Sequence, residues 1–228
     1  MRGFGVVSED NRFNHCWFVI PARSNSKGLP LKNQKLFKYT INTIPDKLHN
    51  NIIVSTDDLT ILEKCNNIGL NTIKRREELS QDHVSIKDVL IDVVKQKKIL
   101  DDDDIIMLYL TYPQRNFEDI KNAYEFYKSQ NADSMLCRLP VRSNPFLCYY
   151  ELDDHKGKKI IEHNLYRRQD YPPCFEASHF IAITKARKLL ELDSNLYSEN
   201  TVFYPIDTII DIDTLNDYVK FKSIKNDK

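Results

Sequence analysis

Glycine is scarce in this chain, with five residues among 228, and the two common glycine-rich nucleotide fingerprints are missing. Neither the G-x-x-x-x-G-K-[ST] pattern of a P-loop nor the G-x-G-x-x-G pattern of a dinucleotide-binding fold occurs. Any phosphate site in this protein must therefore be built in a different way.

A surplus of charge of one sign is also missing, because 33 basic residues balance 33 acidic ones. Such a chain has no overall field that would attract nucleic acid or an anionic membrane. No apolar run approaches the length of a membrane span, and the first ten residues lack the apolar core of a signal peptide. We therefore expect a cytoplasmic protein that binds neither nucleic acid nor membrane.

The cysteines form no C-x-x-C pair, and their number is odd. Without a signal peptide, this usage favours reduced thiols in a cytosolic compartment. We expect all five to act as small buried hydrophobic residues: Cys16, Cys65, Cys137, Cys148 and Cys174.

The most informative segment is residues 20–33, IPARSNSKGLPLKN, which follows an apolar strand predicted at residues 16–20. Gly28 tolerates backbone angles that other residues resist, and Pro30 blocks a helix until after Leu31. The sequence therefore predicts an open loop after the strand.

This loop carries three cations, Arg23, Lys27 and Lys32, that could converge on phosphate oxygens. Backbone N–H groups of an open loop can add further donors. The residues alone also fit a solvated basic surface loop, and at this level both readings stay open.

After the loop, apolar strand patterns alternate with amphipathic helix patterns. Strands are predicted at residues 51–55, 70–74, 105–110, 134–137, 179–184 and 202–204, and helices at 58–67, 85–97, 117–128, 185–192 and after 213–214. This alternation predicts one α/β domain over residues 1–228, a Rossmann-like three-layer sandwich with a mostly parallel sheet. Ligands are expected at the carboxyl ends of its strands.

The alternation is interrupted at residues 139–173, which are rich in aromatic residues, proline and turn signals. This segment predicts an inserted β-hairpin and arm. The acidic run at residues 101–104 falls between a helix and a strand, and a solvated turn is expected there rather than a metal site.

Asp211 and Asp213 lie two residues apart in an extended segment and should face the same side. Paired carboxylates of this kind can share Mg²⁺, which prefers one or two carboxylates together with substrate phosphates. In the alternative, Asp213 caps the last helix and Asp211 faces solvent.

The loop resembles the signature IPAR-x-x-SKG-x-x-x-KN of the acylneuraminate cytidylyltransferases, the CMP-sialic acid synthetases. Further similar segments follow in the family's order: IIVSTDD at 52–58, RREELS at 75–80, RRQDYPP at 167–173 and IDIDT at 210–214. The resemblance covers nearly the whole chain after residue 15.

The resemblance implies transfer of CMP from CTP to an acidic sugar, with release of pyrophosphate. It implies Arg23, Lys32, Asp211 and Asp213 as catalytic residues, with Mg²⁺ held by the two aspartates. It implies nucleotide binding by Ala22, Arg23, Ser26, Lys27, Lys32, Asn33 and Arg75. It also implies a homodimer in which the arm extends over the neighbouring subunit.

The departures from the family's pattern lie on the acceptor side. The segment YLTYPQR at 109–115 replaces QPTSPLR and loses a glutamine, and SHFIAI at 178–183 replaces an NGAIYI-type strand. We therefore expect an altered acceptor pocket formed by Tyr109, Tyr112, Arg168 and His179, with His163 as a further candidate. The acceptor could be a nonulosonic acid, ketodeoxyoctonate or a phosphonate, and a non-catalytic nucleotide-binding relative is the alternative from another class.

Overall fold

The computed structural model describes residues 12–207 and 209–226. Nine strands lie in chain order: β1 (Cys16–Pro21), β2 (Ile52–Thr56), β3 (Asn71–Lys74), β4 (Asp104–Met107), β5 (Ser134–Pro140), β6 (Tyr149–Glu151), β7 (Gly157–Lys159), β8 (Phe175–Lys185) and β9 (Thr201–Pro205). Five α-helices accompany them: α1 (Lys32–Ile41), α2 (Leu59–Asn67), α3 (Ile86–Lys97), α4 (Phe117–Gln130) and α5 (Leu215–Asn226). The prediction of one domain also covers residues 1–11, 208 and 227–228, which lie outside the described residues.

Seven strands form one sheet in the order β3-β2-β1-β4-β8-β5-β9. Strand β8 runs antiparallel to β4 and β5, and the other pairings are parallel. The predicted α/β fold with a mostly parallel sheet is therefore confirmed. Parallel strands of this kind are buried on both faces, which explains their continuous apolar runs.

The two faces of the sheet pack against separate cores, because neighbouring strand residues point in opposite directions. Phe18 and Ile20 of β1 lie in a core with residues of α1, α2, α4 and α5. Val19 lies in the opposite core, which includes Leu90 and Val93 of α3. The three-layer arrangement follows from this alternation.

Helix starts coincide with the capping residues in the sequence. Asp58 accepts bonds from the backbone N–H groups of Thr60 and Ile61, at 2.9 and 3.2 Å. Ser85 accepts a bond from the N–H of Asp88 at 3.1 Å. Each such cap contributes about 1 kcal/mol, so the helices predicted after residues 58 and 85 begin as expected.

The helix predicted at residues 185–192 is wrong, because only a 3-10 helix at Ala186–Lys188 forms there. The N–H groups of Leu189 and Glu191 donate to carbonyls three residues earlier. The N–H groups of Ala186 and Arg187 donate to residues 103 and 101. These bonds hold the segment against the acidic run in place of a regular α-helix.

The acidic run is only partly the predicted solvated turn. Asp101 and Asp102 are exposed, whereas Asp103 and Asp104 are buried. Asp104 accepts bonds from Tyr124 Oη at 2.8 Å and Lys128 Nζ at 2.9 Å. Its carboxylate therefore has a structural role at the edge of the sheet opposite the basic loop.

The predicted hairpin is confirmed as the antiparallel pair β6 and β7. It projects from the adjacent strands β5 and β8, since Pro140 pairs with Phe175 at the end of their ladder. We call residues 141–174 the arm. Among the described residues, no helix is long and apolar enough to cross a membrane.

Candidate active site

The carboxyl ends of β1, β2, β3 and β4 meet at one edge of the sheet, and the basic loop lies there. The N–H of Ala22 donates to Ser55 O at 2.9 Å, and the N–H of Arg75 donates to Thr56 O at 2.8 Å. Strand β4 ends at Met107, earlier than predicted, so Tyr109 lies in the loop at this edge. The expected ligand edge of the α/β sheet is thus where the candidate residues gather.

The basic loop has the predicted open form, because residues 22–31 contain neither helix nor strand and α1 begins at Lys32. Ser24 donates to the Asp57 carboxylate through its N–H at 2.8 Å and its hydroxyl at 2.6 Å. Asn33 Nδ2 donates to Arg23 O at 2.8 Å. These bonds fix the loop without any regular structure.

Two of the three loop cations contact one carboxylate. Arg23 Nη1 lies 2.6 Å from Asp82 Oδ1, and Lys27 Nζ lies 2.5 Å from Asp82 Oδ2. A hydrogen bond from Lys27, and to a smaller extent one from Arg23, lowers the pKa of Asp82 below its ordinary value. The loop cations therefore already converge on an anion, as they would on a phosphate group.

The predicted nucleotide residues line two adjoining hollows. Arg23, Lys32, Asn33 and Arg75 line a cleft of about 300 Å³, which also includes Tyr109 and Thr111. Ser26 and Lys27 line a neighbouring hollow of about 760 Å³, and Arg75 and Asp82 belong to both. Ala22 is the exception: it is fully buried and lines neither hollow, its N–H donates to Ser55 O, and its carbonyl accepts a bond from the Thr56 hydroxyl.

Arg75 is the buried cation of this site. Its Nη2 donates to Ser55 O at 2.8 Å, and its Nε donates to Ser55 Oγ at 3.2 Å. Burial lowers the pKa of Arg75 to about 10, so the guanidinium still carries its charge at neutral pH. A fixed positive charge at this position favours an anionic ligand in the cleft.

Asp211 and Asp213 reach the same site from the C-terminal part of the chain. The N–H of Ile212, between them, donates to Thr111 O at 2.9 Å. Tyr112 Oη donates to Asp211 Oδ2 at 2.8 Å, and Lys32 Nζ donates to Asp213 Oδ1 at 2.7 Å. The two carboxylates are thus held beside the last cation of the basic loop.

The alternative assignment of Asp213 as a helix cap does not hold. Asp217 accepts bonds from the N–H and hydroxyl of Thr214 at 2.8 and 2.7 Å. The side chain of Asp213 points instead to Lys32. The start of α5 is therefore stabilised by other residues, and the Asp213 carboxylate pairs with a cation of the basic loop.

A metal ion at this site would have two protein carboxylates. Among the described residues, no group of three or more His, Cys, Asp or Glu side chains is placed to hold a metal. Burial raises the pKa of Asp211 above its ordinary value. The donor set fits Mg²⁺, which commonly takes one or two carboxylates and completes its shell with phosphate oxygens and water.

Gly28 touches the backbone of the aspartate segment. A Cβ atom at Gly28 would lie 2.3 Å from Asp213 O, a distance that real Cβ atoms do not show. Gly28 is therefore needed because two backbone segments pack closely. This contact joins the basic loop to the aspartate pair.

The predicted acceptor residues are only partly brought together. Tyr112 and His179 line a hollow of about 650 Å³ that includes Asp211. Tyr109 faces the nucleotide cleft and packs edge-on against His179 at 5.8 Å between ring centroids. Arg168 lines a separate hollow within the arm.

His163 also lies in the arm. Its Nε2 is 2.6 Å from Phe146 O, and its ring packs against Phe146 and Tyr171. Within this chain it therefore has a structural role and does not line the hollow that contains Asp211.

The sequence alone assigns no role to two residues of this site. Asp57 holds the basic loop, and Asp82 pairs with two of its cations. Asp57 lies in the STDD segment after a predicted strand, a position that could have indicated a site residue. Asp82 follows a short 3-10 helix at Glu77–Ser80, and no periodic pattern distinguishes it from a solvent-exposed acid.

A basic loop and a carboxylate pair at the carboxyl edge of a mostly parallel sheet are typical of a nucleotide-binding α/β protein. The sequence matches the cytidylyltransferase family over residues 17–221. The chain therefore belongs to that family, in its acylneuraminate cytidylyltransferase branch.

The similar relatives include an N-acylneuraminate cytidylyltransferase from Streptococcus agalactiae, 29% identical over 88% of this chain and 51% of its own length. A CMP-N,N'-diacetyllegionaminic acid synthase from Campylobacter jejuni is 31% identical over 91% of this chain and 95% of its own. The chain spans about half the length of the first of these relatives.

Solved structures share the fold. A CMP:2-keto-3-deoxy-manno-octonic acid synthetase complexed with CTP matches 93% of this chain and 98% of its own, with a TM-score of 0.66 and 15% identity. A cytidylyltransferase from Leptospira borgpetersenii matches 94% of this chain and 87% of its own, with a TM-score of 0.60 and 16% identity. At these identities the likeness concerns the fold alone.

Proposed function

We propose that the protein is a CTP-dependent cytidylyltransferase that transfers CMP to an acidic sugar, such as a nonulosonic acid, and releases pyrophosphate. The observation that carries the proposal is the contact between Lys32 of the basic loop and Asp213 of the aspartate pair, at 2.7 Å. Phosphate-binding cations and metal-binding carboxylates are required together when a hydroxyl attacks a nucleoside triphosphate. The names of the relatives support the same reaction.

In this reaction the acceptor hydroxyl attacks the α-phosphorus of CTP, and the bond to the bridging oxygen of pyrophosphate breaks. Arg23, Lys27 and Lys32 would bind the phosphate oxygens, and their charge would offset the negative charge that develops there. The proton of the attacking hydroxyl would pass to a carboxylate, Asp211 or Asp213. Positioning of two anionic substrates in adjoining hollows supplies much of the remaining acceleration.

We propose Asp211 and Asp213 as the residues that hold Mg²⁺. The ion would supply charge stabilisation at the triphosphate, which is the usual chemistry of Mg²⁺ in nucleotidyl transfer. The protein's own part is to hold both carboxylates in place, through Tyr112 on one and Lys32 on the other. Lys32 must exchange its contact with Asp213 for a phosphate oxygen when the nucleotide enters.

The experiment is pyrophosphate release from CTP and Mg²⁺ with a panel of acids: N-acetylneuraminate, other nonulosonates, ketodeoxyoctonate and simple phosphonates. Release with one acid supports the reaction and identifies the acceptor. That acid would be the one that fits the altered pocket expected around Tyr109 and His179. Asp211→Ala should abolish release, whereas Asp102→Ala, an exposed acid at the opposite edge of the sheet, should not. CTP binding by calorimetry without release on any acid would favour a non-catalytic relative.

We further propose a homodimer formed through the arm. Tyr149, Tyr150 and Tyr166 are 58, 59 and 91% exposed, and a second copy of the chain would cover them. Exposed aromatic residues are enriched at protein interfaces. Phe146, in contrast, is half-buried against His163 and Tyr171 and is engaged within the arm.

A dimer would also bring Arg168 of the arm towards the acceptor hollow of the neighbouring subunit, which its own chain does not achieve. Sedimentation analysis should give twice the mass of the chain, and Tyr149→Ser with Tyr166→Ser should shift it to the monomer. A monomer mass for the unchanged protein would overturn the proposal. The five free cysteines of the described residues agree with a reducing compartment, and we propose the cytoplasm.

A further inference from the structure

Two hollows meet where β5 ends, at Pro140 and Arg142. The first hollow contains Tyr112, His179 and Asp211 and has a volume of about 650 Å³. The second lies in the arm, contains Arg168 and has a volume of about 720 Å³. Only Pro140 and Arg142 line both of them. Proline offers no charge, so Arg142 is the charged residue at this junction.

The guanidinium of Arg142 is not used to hold the fold. Within the described part of the chain, it has no ion pair or side-chain hydrogen bond, and its residue is exposed. Two neighbouring arginines, Arg138 and Arg167, differ. Arg138 lies over the ring of Phe175, 3.8 Å from its centroid, and Arg167 pairs with Asp170 at 2.9 Å. Arg142 is therefore available to a ligand.

Within the arm hollow, the charges around Arg142 favour an anion, whereas the other hollow also contains Glu176, Asp211 and Asp217. No Asp or Glu is among the residues that line the arm hollow, which contains Arg142 and Arg168. In the other hollow the second cation, Lys220, already acts on a neighbouring acid, because its charge helps to lower the pKa of Asp217. A guanidinium without a carboxylate partner binds oxyanions well, since it can donate two parallel hydrogen bonds.

We propose that Arg142 binds the anionic group of the acceptor and so helps to select acidic acceptors. The inference rests on the proposed function and adds a specificity residue to it. Arg168 lies in the arm hollow alone, whereas Arg142 also lines the hollow of the same chain that contains Asp211. Arg142 therefore supplies the acceptor's counter-charge from within the subunit that carries out the reaction.

The expected effect is confined to the acceptor. A hydrogen bond to a charged group is worth roughly 1.5–3 kcal/mol, so Arg142→Gln should raise the KM of the acidic acceptor by roughly 10- to 150-fold. The KM of CTP should stay the same, because Arg142 lines neither hollow of the nucleotide residues. Arg142→Lys keeps the charge but loses the paired donors, and its effect should be intermediate.

The test uses the acid that supports pyrophosphate release by the unchanged protein and measures both KM values for each variant. Arg187→Gln is the matched control, because Arg187 is an exposed arginine that pairs with Asp102 at the opposite edge of the sheet. Calorimetry with the same acid, in the absence of CTP, gives a second readout that needs no turnover. Circular dichroism and thermal unfolding establish that each variant is folded.

Selective loss of acceptor affinity in Arg142→Gln, with Arg187→Gln unchanged, supports the inference. If Arg142→Gln behaves like the control while the unchanged protein turns over, the inference is wrong and the proposed function stands. If the KM of CTP rises as much as that of the acid, Arg142 is not an acceptor residue. If no acid of the panel binds or releases pyrophosphate, the proposed function fails, and this inference fails with it.

Discussion

Lys32 Nζ lies 2.7 Å from Asp213 Oδ1, although 180 residues separate the two in the chain. The lysine is the last cation of the basic loop and the first residue of α1, and the aspartate precedes α5. The contact therefore joins the two sequence segments on which the proposed reaction depends.

The first prediction concerns this pair. Lys32→Met should lower kcat/KM for pyrophosphate release by roughly 100-fold or more, because one phosphate-binding charge is lost from the transition state. Steady-state kinetics with CTP and the identified acceptor measure it. Lys35→Met serves as control, since Lys35 is exposed one helical turn away and donates to Pro30 O. Equal activity of both variants would show that Lys32 has no catalytic role.

The second prediction concerns the close contact at Gly28. Gly28→Ala places a methyl group 2.3 Å from Asp213 O, so either the loop or the aspartate segment must move. We expect at least a tenfold loss of kcat/KM with a small change in thermal unfolding, because a misplaced catalytic group is costly even when the fold persists. Gly157→Ala, whose new Cβ would meet Tyr149 at an ordinary 3.4 Å, should keep its activity. Full activity of Gly28→Ala would show that the contact has no role in positioning.

The third prediction concerns Asp82, which pairs with Arg23 and Lys27 and would compete there with a phosphate group. Asp82→Asn should tighten the binding of CTP and of inorganic pyrophosphate, because the cations lose their internal counter-charge. Isothermal titration at low ionic strength measures the change, which should diminish as salt screens these exposed charges. Asp102→Asn, paired with Arg187 far from the site, should leave both affinities unchanged. Weaker binding in Asp82→Asn would mean that Asp82 assists the nucleotide.

The fourth prediction concerns the thiols, which are not all buried as expected. Cys148 and Cys174 are half-buried in the arm, whereas Cys16, Cys65 and Cys137 are buried. Burial raises the pKa of each of these three thiols to about 12. At pH 8 a thiol reagent should label two cysteines in the native protein and five after denaturation.

The same shifts predict how stability depends on pH. The three buried thiols keep their protons longer in the folded state than in the unfolded state, where the pKa is 9.0. Their contribution to the free energy of unfolding is therefore complete below pH 9 and is lost as the pH rises from 9 towards 12. Cys65→Ala should make the free energy of unfolding less dependent on pH in this range. If the pH dependence of Cys65→Ala matched that of the unchanged protein, the raised pKa of the Cys65 thiol would be contradicted.

Much of the fold could be predicted from the sequence because its signals are local. The capping residues Asp58 and Ser85 mark the starts of α2 and α3, and Pro30 marks the end of the basic loop. The failed helix at residues 185–192 illustrates the limit. Hydrogen bonds to residues 101 and 103 form there in place of a regular helix, and no local sequence pattern indicates these bonds.

The residues of the candidate site show the same distinction between local sequence signals and contacts that depend on distant segments. The basic loop and the aspartate pair could be singled out because each is a compact run of residues that resembles a family signature, although their residues alone left other roles open. Arg142 and Asp82 could not, because each is a single charged residue whose significance depends on which segments fold next to it. The placement of β8 between β4 and β5 has the same origin, since strand order is set by packing between distant segments.

The carboxylate of Asp82 also bears on how the reaction ends. Asp82 pairs with Arg23 and Lys27 within the same chain, so in the proposed reaction it would return to them at a high effective concentration when a phosphate group dissociates. A free anion in solution would have to diffuse to the same place. Asp82 would then act as an internal displacing anion, and we expect the departure of pyrophosphate to be faster than the charge of the empty loop alone would allow.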